Sequence, residues 1–272
     1  MEREITGGSM LDSRDNYLIQ DKNENLEIAV STVIGDRAEQ QDCAGFFLTE
    51  NGCIAAVCDG MGGLADGKAS ASLAIRQIMD KCSGAPPDDD PHSLLIDSVT
   101  SIDRMIYERA HSGGEETETG TTIVCVITRA DQLHWVSVGD SRIYLCRDGA
   151  LVRATNDHVY QAILDRQLDM GAIDAESYRE QLKYGHALVS FLGMGELPFI
   201  ESNQYPFTLH SGDRILLTSD GLYKTIPEED IRRILQNNGG VTDALNALER
   251  RARERPDAKK RDNTTVCIIK IN

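Results

Sequence analysis

Three apolar, β-rich runs in this chain end on an aspartate, and a fourth begins just after one. Ala55-Ala56-Val57-Cys58 leads into Asp59-Gly60, Trp135-Val136-Ser137-Val138-Gly139 into Asp140, and Ile215-Leu216-Leu217-Thr218-Ser219 into Asp220-Gly221, while Asp262 stands ahead of the run 266–271. Short runs of this kind, bounded by Gly or Asp, read as strands buried in a sheet. Carboxylates at strand ends gather at one rim, where like charges raise one another's pKa unless cations lie between them. The pattern therefore predicts a site for hard divalent metals. Taken singly, each aspartate reads better as turn chemistry, because Asp-Gly is a frequent hairpin dipeptide. Their number favours the site, as does the Gly-rich or helical sequence that follows Asp59 and Asp220 where a hairpin would need a return strand.

The chain of 272 residues is long enough for one large domain, expected over 26–272, after a polar, flexible extension at 1–25. Strands are predicted at 26–34, 44–48 and 53–58, the last two joined by the hairpin signal Glu50-Asn51-Gly52. The period then changes. Ala71, Ala74, Ile75 and Ile78 mark one amphipathic helix, and Leu95, Val99, Ile102 and Ile106 a second. A strand meander follows at 121–128, 132–138 and 143–146, then a polar, weakly patterned stretch at about 159–197. A strand at 215–219, a helix opened by Pro227, a helix through Val241, Ala244, Leu245 and Leu248, and a strand at 264–271 complete the order. Strands and helices in blocks argue against parallel βαβ winding. The expected class is α+β: two mainly antiparallel sheets packed as a sandwich, with helices outside.

The formal charge of −16 argues against a nucleic-acid or anionic-membrane partner, since both require a positive surface. No apolar stretch approaches the roughly 20 residues that cross a bilayer, and residues 1–4 lack the basic and apolar regions of a signal peptide, so the expected location is cytoplasmic. Seven cysteines inside apolar runs, with no C-x-x-C pair, read as small core residues of a reducing compartment.

The loop from Asp59 to Ala69 has the spacing Gly62-x-x-x-x-Gly67-Lys68 of a phosphate-binding loop, but Ala69 stands where that motif needs a hydroxyl for magnesium, and Asp66 would face the phosphates. The glycines fit better as tight backbone beside a metal, with the Gly60 carbonyl as a candidate ligand. Carboxylates and backbone alone, without a histidine or cysteine cluster, suit magnesium or manganese, and carboxylates from distant strands favour a shared two-metal site over a calcium loop.

Six motifs stand in the order of one family: Arg37-Ala38-Glu39-Gln40-Gln41-Asp42, Asp59-Gly60-Met61-Gly62-Gly63, Gly120-Thr121-Thr122, Gly139-Asp140-Ser141-Arg142, Ser219-Asp220-Gly221 and Asp262-Asn263-x-Thr265. In these the chain resembles the PP2C-like (PPM) metal-dependent protein serine/threonine phosphatases of the compact bacterial type, over about 26–271. The resemblance implies the helix-flanked sandwich with a metal cluster at one end, holding two or three Mn2+ or Mg2+ ions. It implies that Asp59 bridges two metals, that the Gly60 carbonyl binds one and that Asp220 and Asp262 complete the other. Asp140, with Asp220, matches a third, weaker site. Asp42 matches a carboxylate that holds metal-bound water, and Arg37 the residue that grips the substrate phosphate. The implied reaction is direct attack of a metal-bridging hydroxide on phosphoserine or phosphothreonine.

The resemblance also implies a phosphorylated protein as substrate, action against a Ser/Thr kinase, and a monomer. The stretch 159–197 resembles the family's flap, though Ala187-Leu188-Val189-Ser190-Phe191 stands where relatives carry a Thr-Arg pair, which bears on substrate preference. Eukaryotic members have a histidine where this chain has Met61. His158 reads as a structural hydrogen-bonder, and the basic run from Arg250 to Arg261 as a solvated helix face. Two alternatives are kept: a catalytically inactive binding module of the same fold, and another two-metal phosphoesterase.

Overall fold

A strand whose successive side chains are all apolar can bury them only if both faces of its sheet are covered. The computed structural model of the chain describes residues 16–62, 66–112, 119–254 and 260–272, and it has this arrangement. The strands β1 (Asn16–Lys22), β2 (Leu26–Val33), β3 (Asp42–Thr49) and β4 (Gly52–Met61) precede the helices α1 (Asp66–Gly84) and α2 (Pro91–His111). Then come β5 (Gly120–Thr121), β6 (Ile123–Arg129), β7 (Gln132–Val138), β8 (Arg142–Arg147) and β9 (Ala150–Arg153). Next are α3 (Tyr160–Asp169), α4 (Ala175–Gln181), β10 (Glu201–Ser202), β11 (Phe207–Thr208) and β12 (Arg214–Thr218). The order closes with α5 (Asp220–Tyr223), α6 (Glu228–Asn237), α7 (Val241–Arg253) and β13 (Thr264–Ile271).

One sheet runs β1-β2-β13-β12-β8-β9; the other runs β10-β7-β6-β4-β3, with β11 beside β7 and β5 beside β4. All pairings between these strands are antiparallel. The sheets stack face to face, and alternate residues of one strand enter different cores. On β4, Cys53, Ala55 and Val57 face the core between the sheets, where Ile28, Phe46, Trp135, Ile215 and Ile269 also lie. Ile54, Ala56 and Cys58 point the other way, onto Ala74, Ile78, Val99 and Ile102 of α1 and α2. On the opposite side, Ala29, Leu216 and Ile268 meet Ile231 and Leu235 of α6 and Leu245 and Leu248 of α7. The result is the expected α+β sandwich in four layers, each fully buried Ile, Leu or Phe contributing roughly 1.5–3 kcal/mol. All seven cysteines are buried, as core residues.

Local signals set the helix limits. α2 starts where Pro91 supplies a fixed φ and the Asp90 side chain accepts from the Ser93 N–H, and it ends with Arg109 and His111 in its last turn. The boundary expected at residue 25 needs correction. Residues 16–22 form β1, paired with β2 along its length. Only Tyr17 and Ile19 of that strand turn inward, so a polar segment carries a period-two signal on just two side chains. Residues 1–15, the rest of the expected extension, lie outside the described residues. The expected flap forms α3 and α4 in a crossing from the β9 edge of one sheet to β10 of the other.

Candidate metal centre

The register of both sheets brings the aspartates to one rim. Asp42 and Asp59 are cross-strand partners at the start of β3 and the end of β4. In the other sheet, Thr218 at the end of β12 pairs with Arg142 at the start of β8 and with Val266 near the start of β13. Asp140, Asp220 and Asp262 each lie two or four residues from those positions, so they meet at the same end. The sheets are tied across this rim by Ser219 Oγ, which donates to Asp42 Oδ2 at 2.7 Å. Around Asp59, its N–H donates to Thr122 Oγ1 at 3.0 Å and its carbonyl accepts from the Thr122 N–H and from Thr121 Oγ1.

Gly60 is required here for space. A Cβ on it would lie 2.3 Å from the Gly67 carbonyl oxygen in the first turn of α1 and 2.7 Å from that of Gln41. Only glycine lets α1 start so close to the strand carrying Asp59.

Burial pushes the Asp59 carboxyl well up, and Asp42, Asp220, Asp140 and Asp262 push it further. Burial also takes Asp42 up to about 7, against the bond from Ser219. Asp42 Oδ1 has no hydrogen-bond partner although it is buried. Asp140 is raised by burial, with Lys224 opposing. These groups are thus near enough to repel one another, offer oxygen donors only, and include one buried acceptor without a donor. The donor set fits a hard divalent cation. The carboxylates are not drawn into a closed cage. Among the described residues no three acidic, His or Cys side chains converge as one, and side-chain cations pair with three of the carboxylates.

Those cations are Arg37 and Lys224. The Arg37 guanidinium is paired with Asp262 and half exposed at the mouth, with Asp220 and Asp59 also acting on its charge. Lys224 Nζ lies 2.5 Å from Asp220 Oδ2 and 3.3 Å from Asp140 Oδ2. Burial works against its charge, but the two carboxylates outweigh that and raise its pKa. All the residues expected from the sequence therefore sit on or beside one rim, Asp42 beneath it and Arg37 above.

Several contributors were not read from the sequence. Lys224 and Ser219 lie within or next to the Ser219-Asp220-Gly221 motif, and only its extension by one helical turn would have pointed to the lysine. Asn263 was noted as part of a motif without a role. Its Nδ2 donates to the carbonyls of Ile34 and Glu39 and its Oδ1 accepts from Gln41, which fixes the loop carrying Arg37 to the residue beside Asp262. Asp103 of α2 gave no signal at all. It is buried, and its Oδ1 accepts from the N–H groups of Gly193, Met194 and Gly195 at 2.7, 2.9 and 3.2 Å. Leu192, next to them, exchanges both backbone hydrogen bonds with Thr121, so this loop at the end of the flap is anchored on a residue whose hydroxyl also holds the Asp59 carbonyl. His158 Nδ1 accepts from the Gly139 N–H at 3.1 Å, a structural bond. Of the basic run, Arg251 pairs with Asp230 and Arg261 with Asp36, while residues 255–259 lie outside the described residues.

Comparison with known proteins finds phosphatases. Residues 38–164 match the family model described as Protein phosphatase 2C. A serine/threonine phosphatase of Listeria welshimeri is 25% identical over 240 residues, 87% of this chain and 92% of that protein. The serine/threonine phosphatase PstP/Ppp of Mycobacterium tuberculosis superposes with a TM-score of 0.74 at 26% identity, covering 91% of this chain and 99% of that one. A structure of the PstP catalytic domain in complex with two manganese ions gives a TM-score of 0.71 at 26% identity, over 91% of this chain and 98% of that one.

Proposed function

We propose that this chain is a bacterial PP2C-like phosphatase that hydrolyses phosphoserine and phosphothreonine on proteins at the Asp59 rim, by direct attack of water and without a covalent phosphoenzyme. The observation that best supports this is electrostatic: Asp42, Asp140, Asp220 and Asp262 all raise the Asp59 carboxyl, a concentration of negative charge that cations relieve. Asp59, Asp220 and Asp262, with the Gly60 carbonyl and Asp140, are the residues that would hold Mn2+ or Mg2+. Divalent ions there would supply Lewis acidity and make water a nucleophile near neutral pH. Arg37 presents a planar fork to two phosphate oxygens at the mouth and orients the ester for in-line attack. Asp42, fixed by Ser219, offers its unpartnered Oδ1 to a water beneath the phosphate. Met61 has no proton to give, so the leaving alkoxide takes its proton from water.

In this reading the protein acts as a cytoplasmic monomer against a Ser/Thr kinase. Among the described residues no helix is long and apolar enough to cross a membrane. The test is phosphate release from a phosphothreonine peptide and from a nucleotide, with and without Mn2+, for wild type, Asp59→Asn and Asp220→Asn. Manganese-dependent release from the peptide, lost in both variants, is expected. No release with either Mn2+ or Mg2+ would leave only a binding module, and preference for the nucleotide would replace the substrate class. Chelation should lower the melting temperature while leaving the folded circular dichroism, because the sandwich core does not include the ions.

A further inference from the structure

The two sides of the rim differ in how their negative charge is met. Among the described residues no ion pair reaches Asp59 or Asp42. On the Asp140 side, by contrast, the Lys224 ammonium lies between Asp140 Oδ2 and Asp220 Oδ2 at 3.3 and 2.5 Å. The contact is built. Lys224 caps α5 one turn after Asp220, so the helix itself aims the side chain back over that carboxylate. The preceding Tyr223 donates its hydroxyl to the Asp140 carbonyl at 2.9 Å and also contacts Oδ2 at 3.3 Å. Its ring carries the Arg142 guanidinium at 3.5 Å, and Arg142 is held in turn by both oxygens of Asp157. Asp140 is therefore fixed from behind by Tyr223 and neutralised from the front by Lys224.

An ammonium and a hard divalent ion seek the same carboxylate oxygens, and repulsion keeps them from sharing one pair. We propose that Lys224 is a built-in cation between Asp140 and Asp220, taking the Oδ2 atoms that face it in place of a divalent ion, so that divalent ions bind only on the Asp59 side, where Asp220 keeps its Oδ1. The proposal rests on the metal reading above and narrows it to two ions. It also changes the role of Asp140, which becomes the anchor of a lysine and not a metal ligand.

The test counts ions directly. Metal-free wild type, Lys224→Met, Lys224→Arg and Asp140→Asn, each shown to be folded by circular dichroism, are dialysed against Mn2+ and the bound metal is measured by elemental analysis. Lys224→Met keeps the side-chain length without the charge, and it should take up about one more Mn2+ per chain than wild type, or bind its weakest ion about tenfold tighter. Lys224→Arg should match wild type, and Asp140→Asn should lose no ion. Equal uptake by wild type and Lys224→Met, or loss of an ion from Asp140→Asn, would overturn the proposal while leaving the metal reading intact. Failure of every form to bind Mn2+ would overturn both.

Discussion

Replacing Asp103 with alanine tests whether one buried carboxylate fixes the loop that ends the flap. In the wild type, Oδ1 serves three N–H donors, those of Gly193, Met194 and Gly195, at 2.7, 2.9 and 3.2 Å. Gly193 and Gly195 hold φ at +116° and +83°, so the loop cannot easily turn its amides elsewhere. A hydrogen bond to a charged group is worth about 1.5–3 kcal/mol, and a buried donor left without a partner costs about 1–3 kcal/mol. The Gly193 bond is buried and the other two are part-buried, within reach of water, so the three do not add in full. The loss expected for Asp103→Ala is about 3 kcal/mol, a large share of the roughly 5–15 kcal/mol of a typical domain. Asp103→Asn keeps an acceptor oxygen but not the charge, and since charge-assisted bonds are about twice as strong as neutral ones, it should lose about half as much.

Urea unfolding of the metal-free protein reads this out. Trp135, the single tryptophan, lies in the core between the sheets and reports its opening by fluorescence. Proteolysis of segment 159–197 should also quicken in Asp103→Ala, because the loop loses its tether before the core opens. A loss under about 1 kcal/mol for alanine, or an asparagine variant no better than alanine, would refute the reasoning.

Two further outcomes follow from the same structure. Gly60→Ala would place a methyl 2.3 Å from a backbone oxygen of α1, so it should cost at least about 2 kcal/mol and lower the melting temperature by several degrees; an unchanged melting temperature would mean that α1 does not start so close to β4. His158 is held neutral by burial, which lowers its pKa against the pull of Asp157, and its Nδ1 must stay unprotonated to accept from Gly139. The unfolded chain then binds a proton that the folded one refuses, so the contribution of His158 is present above about pH 6.5 and fades as pH falls below it. Unfolding midpoints of wild type and His158→Asn should converge between about pH 7.5 and 5.5, and a constant gap would show that the ring is not buried in its neutral form.

The sandwich was legible because its signals are local. The continuous apolar run 53–58 requires a sheet covered on both faces, and the spacing of Ala71, Ala74, Ile75 and Ile78 requires a helix to cover it. Aspartates placed where such strands stop already implied a rim of carboxylates, since antiparallel partners bring alternate strand ends together. The strand over residues 16–22 escaped because its period rests on Tyr17 and Ile19 alone, and it becomes a strand only when β2 offers an edge to pair with.

What the sequence determined was thus the set of layers and the acidic character of one end. The tertiary structure alone decided which charge meets which. Ser219 reaches Asp42 across 177 residues, Arg37 reaches Asp262 across 225, and Asp103 reaches Gly193 across 90, each by the register of strands and the direction of a side chain. Hydrophobic periodicity is written residue by residue, because burial acts on each side chain separately. Pairing of charges depends on distances of a few ångströms between elements far apart in the chain, which only the packed sheets set. So Asp140 and Asp220 could be read as neighbours of a cation, while the ammonium of Lys224 lying between them became visible only in the fold.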